Sequence, residues 1–349
     1  MKTTRAPRRA IHDARPRKGM PRGVLGGFLA LSGVVVALGL VLGTFYVWRV
    51  WDTASDVERI DTLLPSAEDT TRPAEEKTAE GSFNYVFMGS DSRGEGDRGR
   101  SDVLMLAHVP PTRDKVYVVS FPRDMWVEIP GRGHAKINAA YAWGGDALAT
   151  RTLESLVGVR MDHAVKIDFE GFIGLTDELG GVTVYNAVAT EGIGESGTLH
   201  SFPQGEIVLE GDAALTYVRQ RYELPNGDLG RAERQRIVVK AIMKELLSRD
   251  LLTKPATFNA VLGSLGQYLT VDEGLTNQEL LTTAASMRLE DLDRDIVLLQ
   301  AHIASFGRSP DGQDINIVDE PQLAELATAI QTGTMDAYAE KYWRQPFVG

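Results

Sequence analysis

Residues 83–121 read FNYVFMGSDSRGEGDRGRSDVLMLAHVPPTRDKVYVVSF. Three apolar runs stand in this stretch: Asn84–Met88, Val103–Val109 and Val116–Phe121. Each has the length of a buried strand, and each is bounded by Gly, Pro or charged residues. Arg and Asp gather at the ends of these strands, in Gly89-Ser90-Asp91-Ser92-Arg93, in Arg100-Ser101-Asp102 and in Phe121-Pro122-Arg123-Asp124.

Towards the C-terminus, strands and helices alternate. Met125–Ile129 alternates as a strand and stops at Pro130. Ala147, Leu148, Leu153, Leu156 and Val157 recur at helical spacing over 146–157, with Gly158 at a C-cap position. A strand over 164–169, a helix over 170–179 closed by Gly180-Gly181, and a strand over 182–185 follow. Gly205–Leu209 leads into a helix over 212–220, and a longer helix is predicted from Arg231 to about Ser248. A strand is expected over 296–303, and the ordered body extends to about Tyr342. This interleaving predicts an α/β fold with helices on both faces of the sheet.

Towards the N-terminus the charge pattern changes twice. Residues 1–22 carry eight bases and one acid, residues 23–48 carry no charge, and residues 50–349 are net −19. The whole-chain value of −11 is therefore a misleading average. An uncharged run of 26 residues exceeds the roughly 20 needed to cross a bilayer core. Phe45, Tyr46, Trp48 and Trp51 stand where an aromatic belt belongs. We expect a basic cytoplasmic tail (1–22), a transmembrane helix (23–48), an acidic extracytoplasmic linker (49–80) and a catalytic domain (81–342). A cleaved signal peptide would have a shorter apolar core and a small-residue cleavage site, and neither is visible. A short helix is predicted around 54–64, and 68–80 reads as solvated. The chain has no Cys, so disulfides, thiolate nucleophiles and Cys-ligated metals are excluded. The tail is too short for a helix-turn-helix, which argues against nucleic acid as a partner.

Common catalytic signatures are missing. The GxGxxG matches at Gly94–Gly99 and Gly192–Gly197 lack the strand-before, helix-after context of a dinucleotide site. There is no Walker A sequence and no GxSxG elbow, and the six histidines show no metal-ligand spacing. The Arg-rich clusters remain, joined by Arg219-Gln220-Arg221 and by Asp228-Leu229-Gly230-Arg231 with Arg234-Gln235. Arg231, Arg234 and Gln235 share a helix face. Two guanidiniums at a helix N-terminus oppose the helix dipole unless an anion offsets them. Arg presents a planar fork suited to phosphate oxygens. Asp91 and Asp102, on adjacent strands, could share a Mg²⁺ ion. The set points to phosphoryl transfer; surface salt bridges are the plain alternative.

The ordered series GSDSR, RSDVLML, VSFPRD, KINAAYAWGG, GGVTVYN, LEGDAALTYVRQR and DLGRAERQR resembles the LytR–CpsA–Psr family, strongly over 81–255. The resemblance implies an α-β-α sandwich with a central mixed sheet and a cavity for a lipid tail. It implies a phosphotransferase that attaches an anionic glycopolymer, carried on a polyprenyl pyrophosphate, to peptidoglycan. Arabinogalactan, a teichoic acid or a capsular polymer would be the cargo. By carry-over, Asp91 and Asp102 would hold Mg²⁺. Arg93, Arg123, Arg219, Arg221 and Arg231 would contact the pyrophosphate, and Arg100, Arg234 and Gln235 would line the same mouth. Arg123 would stabilise the transition state. Asp102 or Asp228 would accept the proton of the attacking hydroxyl; the residues leave that choice open. Hydrolysis at the same site and a non-catalytic envelope-binding role are the alternatives. Lys136, Asn138 and Tyr141 belong to the motifs without an assigned chemistry.

Overall fold

The computed structural model describes residues 58–74, 80–90, 101–246, 269–276, 279, 282–283 and 286–342. A seven-stranded mixed sheet runs in the order β1 (Glu58–Ile60), β12 (Leu269–Asp272), β7 (His163–Asp168), β2 (Phe83–Ser90), β3 (Ser101–Val109), β4 (Val116–Ser120), β13 (Ile296–Gln300). β2 is parallel to β7, and β4 to β13, while β3 is antiparallel to both β2 and β4. Four strands therefore point the same way. Their last residues, Ser90, Ser120, Asp168 and Gln300, share one edge with Ser101, the first residue of β3. Open α/β sheets bind ligands outside such an edge.

The two faces of the sheet are separated by the period-two alternation of β3. Leu104 and Leu106 join one apolar cluster; Met105, Ala107 and Val109 join another. The first is covered by α1 (Asn138–Val157), α6 (Glu320–Thr332) and α7 (Met335–Tyr342) through Tyr141, Leu153, Leu326 and Tyr338. The second is covered by α4 (Gly227–Leu246) through Val239 and Met243. Helices thus lie on both faces, as the interleaved sequence pattern predicts. Leu153 is completely buried, so truncating it to Ala should cost about 3 kcal/mol. A smaller sheet, β14 (Ile303–Arg308), β15 (Asp314–Val318), β5 (Met125–Ile129), β6 (Gly133–Lys136), stands beside the main one. Two antiparallel two-stranded sheets are also present: β8 (Val182–Asn186) with β11 (Gly205–Leu209), and β9 (Thr190–Ile193) with β10 (Leu199–Phe202).

Several local expectations are corrected. The segment predicted as a helix over 54–64 contains β1, which pairs in parallel with β12. Within the stretch read as solvated, Arg72 is docked on the domain. Arg72 donates from Nε to Glu154 Oε2 at 2.9 Å and from Nη1 to the Pro65 carbonyl at 3.1 Å. The Arg72 and Glu154 side chains are 4% and 0% exposed. The strand expected over 296–303 is two strands in different sheets, β13 and β14. α1 begins at Asn138, not Asp146, and is broken at Gly145, whose φ of 69° and ψ of −158° suit only glycine. Gly192–Gly197 forms the β9–β10 turn; Gly94–Gly99 lies outside the described residues. Residues 23–48 also lie outside them, and among the described residues no helix is long and apolar enough to cross a membrane.

Candidate functional site

The chain leaves β4 through Phe121-Pro122 and turns, with Met125 N donating to the Pro122 carbonyl at 3.0 Å. Pro122 fixes its own φ at the start of this turn. The Arg123 carbonyl then accepts from Asn138 N at 3.3 Å, joining the turn to the start of α1. Arg123 Nε lies 3.2 Å from Asp228 Oδ1, and Arg231 Nη2 lies 2.9 Å from the same oxygen. One carboxylate therefore holds two guanidiniums contributed by the β4 turn and by α4. Asp124 pairs with Lys136 at 2.9 Å and adds negative charge 3.9 Å from Arg123 Nε. α4 begins at Gly227 rather than at Arg231. Asp228 thus occupies the first turn, where its charge complements the helix dipole, and Arg231 lies one turn inside.

The other predicted cations divide into two groups. Arg219, the last residue of α3 (Gly211–Arg219), stacks 4.8 Å over Phe169 and pairs with Glu195 of the β9–β10 turn. Arg221 is exposed and lies 5.0 Å over the Tyr222 ring. Both can reach a ligand from solvent. Arg234 is committed to the fold. Its Nη1 donates to Gln220 Oε1 at 3.0 Å, and its Nη2 to Asn186 Oδ1, the Val188 carbonyl and Thr190 Oγ1 at 2.9–3.2 Å. Its guanidinium also covers Tyr217 at 4.1 Å. Gln235 is buried and donates to the Val218 carbonyl at 3.3 Å. Asp91, Arg93 and Arg100 lie outside the described residues, as does the side chain of Asp102. Ser90 pairs with Ser101 across β2 and β3. Among the described residues no group of three His, Asp or Glu could hold a metal.

Under α1 lies a crevice lined by Leu104, Phe121, Arg123, Ile137, Asn138, Tyr141 and Ala149. Its volume is about 10 Å³, room for about one water. Its lining is mostly apolar, with Arg123 at one side. Ser196, His200 and Asp212 look like a nucleophile relay but are not one. Ser196 Oγ and His200 Nε2 both address Asp212 Oδ2, at 2.8 and 3.2 Å. The hydroxyl therefore donates to the carboxylate instead of the imidazole, and the trio closes the β9–β10 turn.

The LytR_cpsA_psr family profile matches residues 53–332. The chain belongs to this family. A relative is the polyisoprenyl-teichoic acid–peptidoglycan teichoic acid transferase TagU of Oceanobacillus iheyensis, 35% identical over 76% of this chain and 81% of its own length. The crystal structure of B. subtilis TagV shares the fold, with a TM-score of 0.62 and 24% identity over 74% of this chain and 98% of TagV. The structure of TagT bound to LI-WTA superposes with a TM-score of 0.58 and 25% identity, over 79% of this chain and 98% of that one.

Within this LytR–CpsA–Psr domain, three charged residues near the edge escaped the sequence reading. Arg236 is 3% exposed and donates from Nη1 to Ser120 Oγ at 2.6 Å and to Gln300 Oε1 at 2.7 Å. It ties the ends of β4 and β13 together just before the Arg123 turn. Burial lowers its pKa to about 10, so it stays charged at neutral pH. The helical period could have revealed it, since Arg236 shares a stripe with Ala232, Val239 and Met243. Lys166 Nζ of β7 lies 3.3 Å from Asp146 Oδ2 and 5.4 Å over the Tyr141 ring. Burial raises the Asp146 pKa, with Lys166 opposing the shift. Burial lowers that of Lys166, but Tyr141 and Asp146 outweigh it and the net shift is upward. Lys166 and Asp146 are 20 residues apart, with no local signal to join them.

Proposed function

We propose that this chain transfers an anionic glycopolymer from a polyprenyl pyrophosphate carrier to peptidoglycan, forming a phosphodiester. The observation that carries this reading is the pairing of Arg123 and Arg231 on Asp228, at the ligand-binding edge and beside an apolar crevice. A pyrophosphate joined to a prenyl chain needs both surfaces next to each other. The names of the relatives add the polymer class, a teichoic acid, and the acceptor, peptidoglycan.

In the reaction, a sugar hydroxyl of the acceptor attacks the phosphorus bonded to the polymer. A new P–O bond forms, the bond to the lipid phosphate oxygen breaks, and polyprenyl phosphate leaves. Arg123 and Arg231 neutralise charge on the equatorial oxygens, the main task of a protein in phosphoryl transfer. Asp228 holds both guanidiniums in place, which makes it an orienting group. That leaves Asp102 as the carboxylate to take the hydroxyl proton. Arg219 and Arg221 extend the cationic surface from the end of α3. Asp91 and Asp102 would hold Mg²⁺, which would supply further charge neutralisation at the phosphates. The segment 23–48 would anchor the chain with the catalytic domain outside the cytoplasm.

A purified polyprenyl-pyrophosphate glycopolymer, incubated with the full chain with and without peptidoglycan, tests this reading. Transfer predicts release of polyprenyl phosphate together with polymer-bearing glycan, and only when acceptor is present. Equal release without acceptor would establish a hydrolase instead.

A further inference from the structure

The chain leads from Arg123 straight into a surface that the reaction above leaves unassigned, the outer face of the small sheet. Arg123 and Asp124 immediately precede β5, and Lys136 ends β6. Asp124 Oδ1 holds Lys136 Nζ at 2.9 Å, while its Oδ2 lies 3.9 Å from Arg123 Nε. The end of the sheet where β5 starts and β6 stops is therefore the end at the site. Met125, Val127, Ile129 and Ala135 belong to the first apolar cluster. Side chains alternate along a strand, so Trp126, Glu128, His134 and Lys136 point the other way, onto the outer face.

The first row of that face runs across all four strands. Trp126 pairs in register with Lys136 on one side and with Ile317 of β15 on the other, and Ile317 pairs with Ser305 of β14. With strands about 4.8 Å apart, the row is about 14 Å long. Ile317 is 42% exposed and leans over Gly307, where a Cβ would come within 2.8 Å of its Cδ1. The edge strand thus adds no bulk beside it. Trp126 and Lys136 are half-buried; Ser305 and the next in-register pair, Glu128 and His134, are exposed.

Two apolar side chains framed by a hydroxyl, an imidazole and charges of both signs suit a particular chemistry. They are too few for a protein interface, which buries roughly 800 Å² on each partner. Glu128 and Lys136 oppose insertion into lipid. A sugar ring has the matching division, C–H bonds on a flat face and hydroxyls around the rim. The indole of Trp126 suits the face, and Ser305, Glu128 and His134 offer donors and acceptors to the rim.

We propose that this row is the acceptor subsite. The glycan strand of peptidoglycan lies along Ser305, Ile317, Trp126 and Lys136, with one sugar on the indole, and passes Asp124 to bring its reacting hydroxyl to Arg123. Sugars that do not react supply the binding that orients the one that does. The inference rests on the transfer to peptidoglycan read above.

Transfer from purified polyprenyl-pyrophosphate glycopolymer to soluble uncrosslinked glycan strands tests it, with the full chain in detergent and with donor and acceptor varied separately. Trp126→Ala should raise KM for the acceptor about tenfold, the loss of one stacked ring, and leave KM for the donor unchanged. Trp126→Phe, which keeps a ring, should recover most of the loss. Ile317→Glu, on another strand and already exposed, should raise the acceptor KM several-fold with no fall in melting temperature. It carries the test if Trp126→Ala does not fold. An unchanged acceptor KM in Ile317→Glu overturns the subsite, as does an equal rise in both KM values in folded Trp126→Ala. A change in sedimentation of Ile317→Glu with an unchanged acceptor KM would assign the face to contacts between copies of this chain and overturn it too. In each of these cases the transfer reading survives. If the unaltered protein moves no polymer to the glycan, that reading itself falls and takes the subsite with it.

Discussion

The two ends of the central sheet use similar residues for opposite purposes. At the end away from the site, several buried polar groups are answered from within the protein. Asn84 N donates to Asp162 Oδ2 at 2.7 Å, and Asn84 Nδ2 donates to the Arg160 carbonyl at 3.1 Å. Asn84 Oδ1 meets His108 Nδ1 at 2.8 Å, and Arg72 reaches both Glu154 and the Met161 carbonyl. At the site end, Arg123 and Arg231 share one carboxylate oxygen, and Arg219 and Arg221 are open to solvent. At the closed end, the buried Glu154 carboxylate is matched by Arg72. Among the described residues, the site end gathers four guanidiniums around Asp228 and Glu195, inside a body whose net charge is −19. A guanidinium alone therefore says little about function; the ratio of cations to carboxylates around it says more.

The largest effect that would sharpen this contrast comes from the closed end. Arg72→Met leaves the Glu154 carboxylate buried without its partner, which should destabilise the domain by about 3–5 kcal/mol. Urea unfolding measures the loss, and kcat per folded molecule should be unchanged. A large fall in kcat with normal stability would mean that the closed end takes part in the chemistry.

His108, fully buried in β3, tests the same end by pH. Burial lowers its pKa from 6.5 to about 4, with the Arg113 charge adding to the shift. In that window the unfolded chain binds a proton that the folded chain refuses. Stability from this group is thus present above pH 6.5 and is lost as pH falls towards 4. The full loss is on the order of 3 kcal/mol. His108→Asn should flatten the slope of unfolding free energy against pH across this window. An unchanged slope would show that other groups carry the acid sensitivity.

At the site end the signature reverses. Arg123→Ala should cost about 3 kcal/mol of transition-state stabilisation, a loss of about 100-fold in kcat. Its effect on stability should be well below that of Arg72→Met. Near-normal ligation by well-folded Arg123→Ala protein would remove Arg123 from the chemistry.

The sequence pattern made most of this architecture legible. Apolar runs bounded by Gly, Pro or charged residues mark β2, β3 and β4 because strands in the middle of a sheet covered by helices need a largely apolar segment. Arg123, Asp228 and Arg231 stand out because cations clustered in an acidic chain need an explanation. Other features depend on distant partners. Arg72 finds Glu154 across 82 residues, so its stretch looks like a polar linker until the fold supplies the carboxylate. Arg234 and Arg231 share a helix face, yet the β8–β9 connection surrounds only Arg234 with acceptors. Local spacing contains neither fact. The start of α4 was missed for a local reason: Gly227 and Gly230 are poor helix formers, and tertiary packing of Leu229 and Ala232 overrides them.

The smallest effect concerns Glu195, the one carboxylate that the β9–β10 turn offers to Arg219. Both side chains are more than a third exposed, at 37% for Arg219 and 45% for Glu195. The pair should therefore contribute less than about 1 kcal/mol to stability. Nor does the turn depend on the Glu195 side chain. Its backbone N–H donates to Asp212 Oδ1 at 2.9 Å, and Ser196 Oγ reaches Asp212 Oδ2 at 2.8 Å. Glu195→Gln should leave the melting temperature almost unchanged while releasing Arg219 towards the substrate. KM for the pyrophosphate donor should fall a few-fold at low salt. The difference should fade at about 0.5 M salt, where exposed charges are screened over a few ångströms. A KM that rises, or one that stays constant across the salt series, would place Arg219 with Arg234 as a residue of the fold rather than of the site.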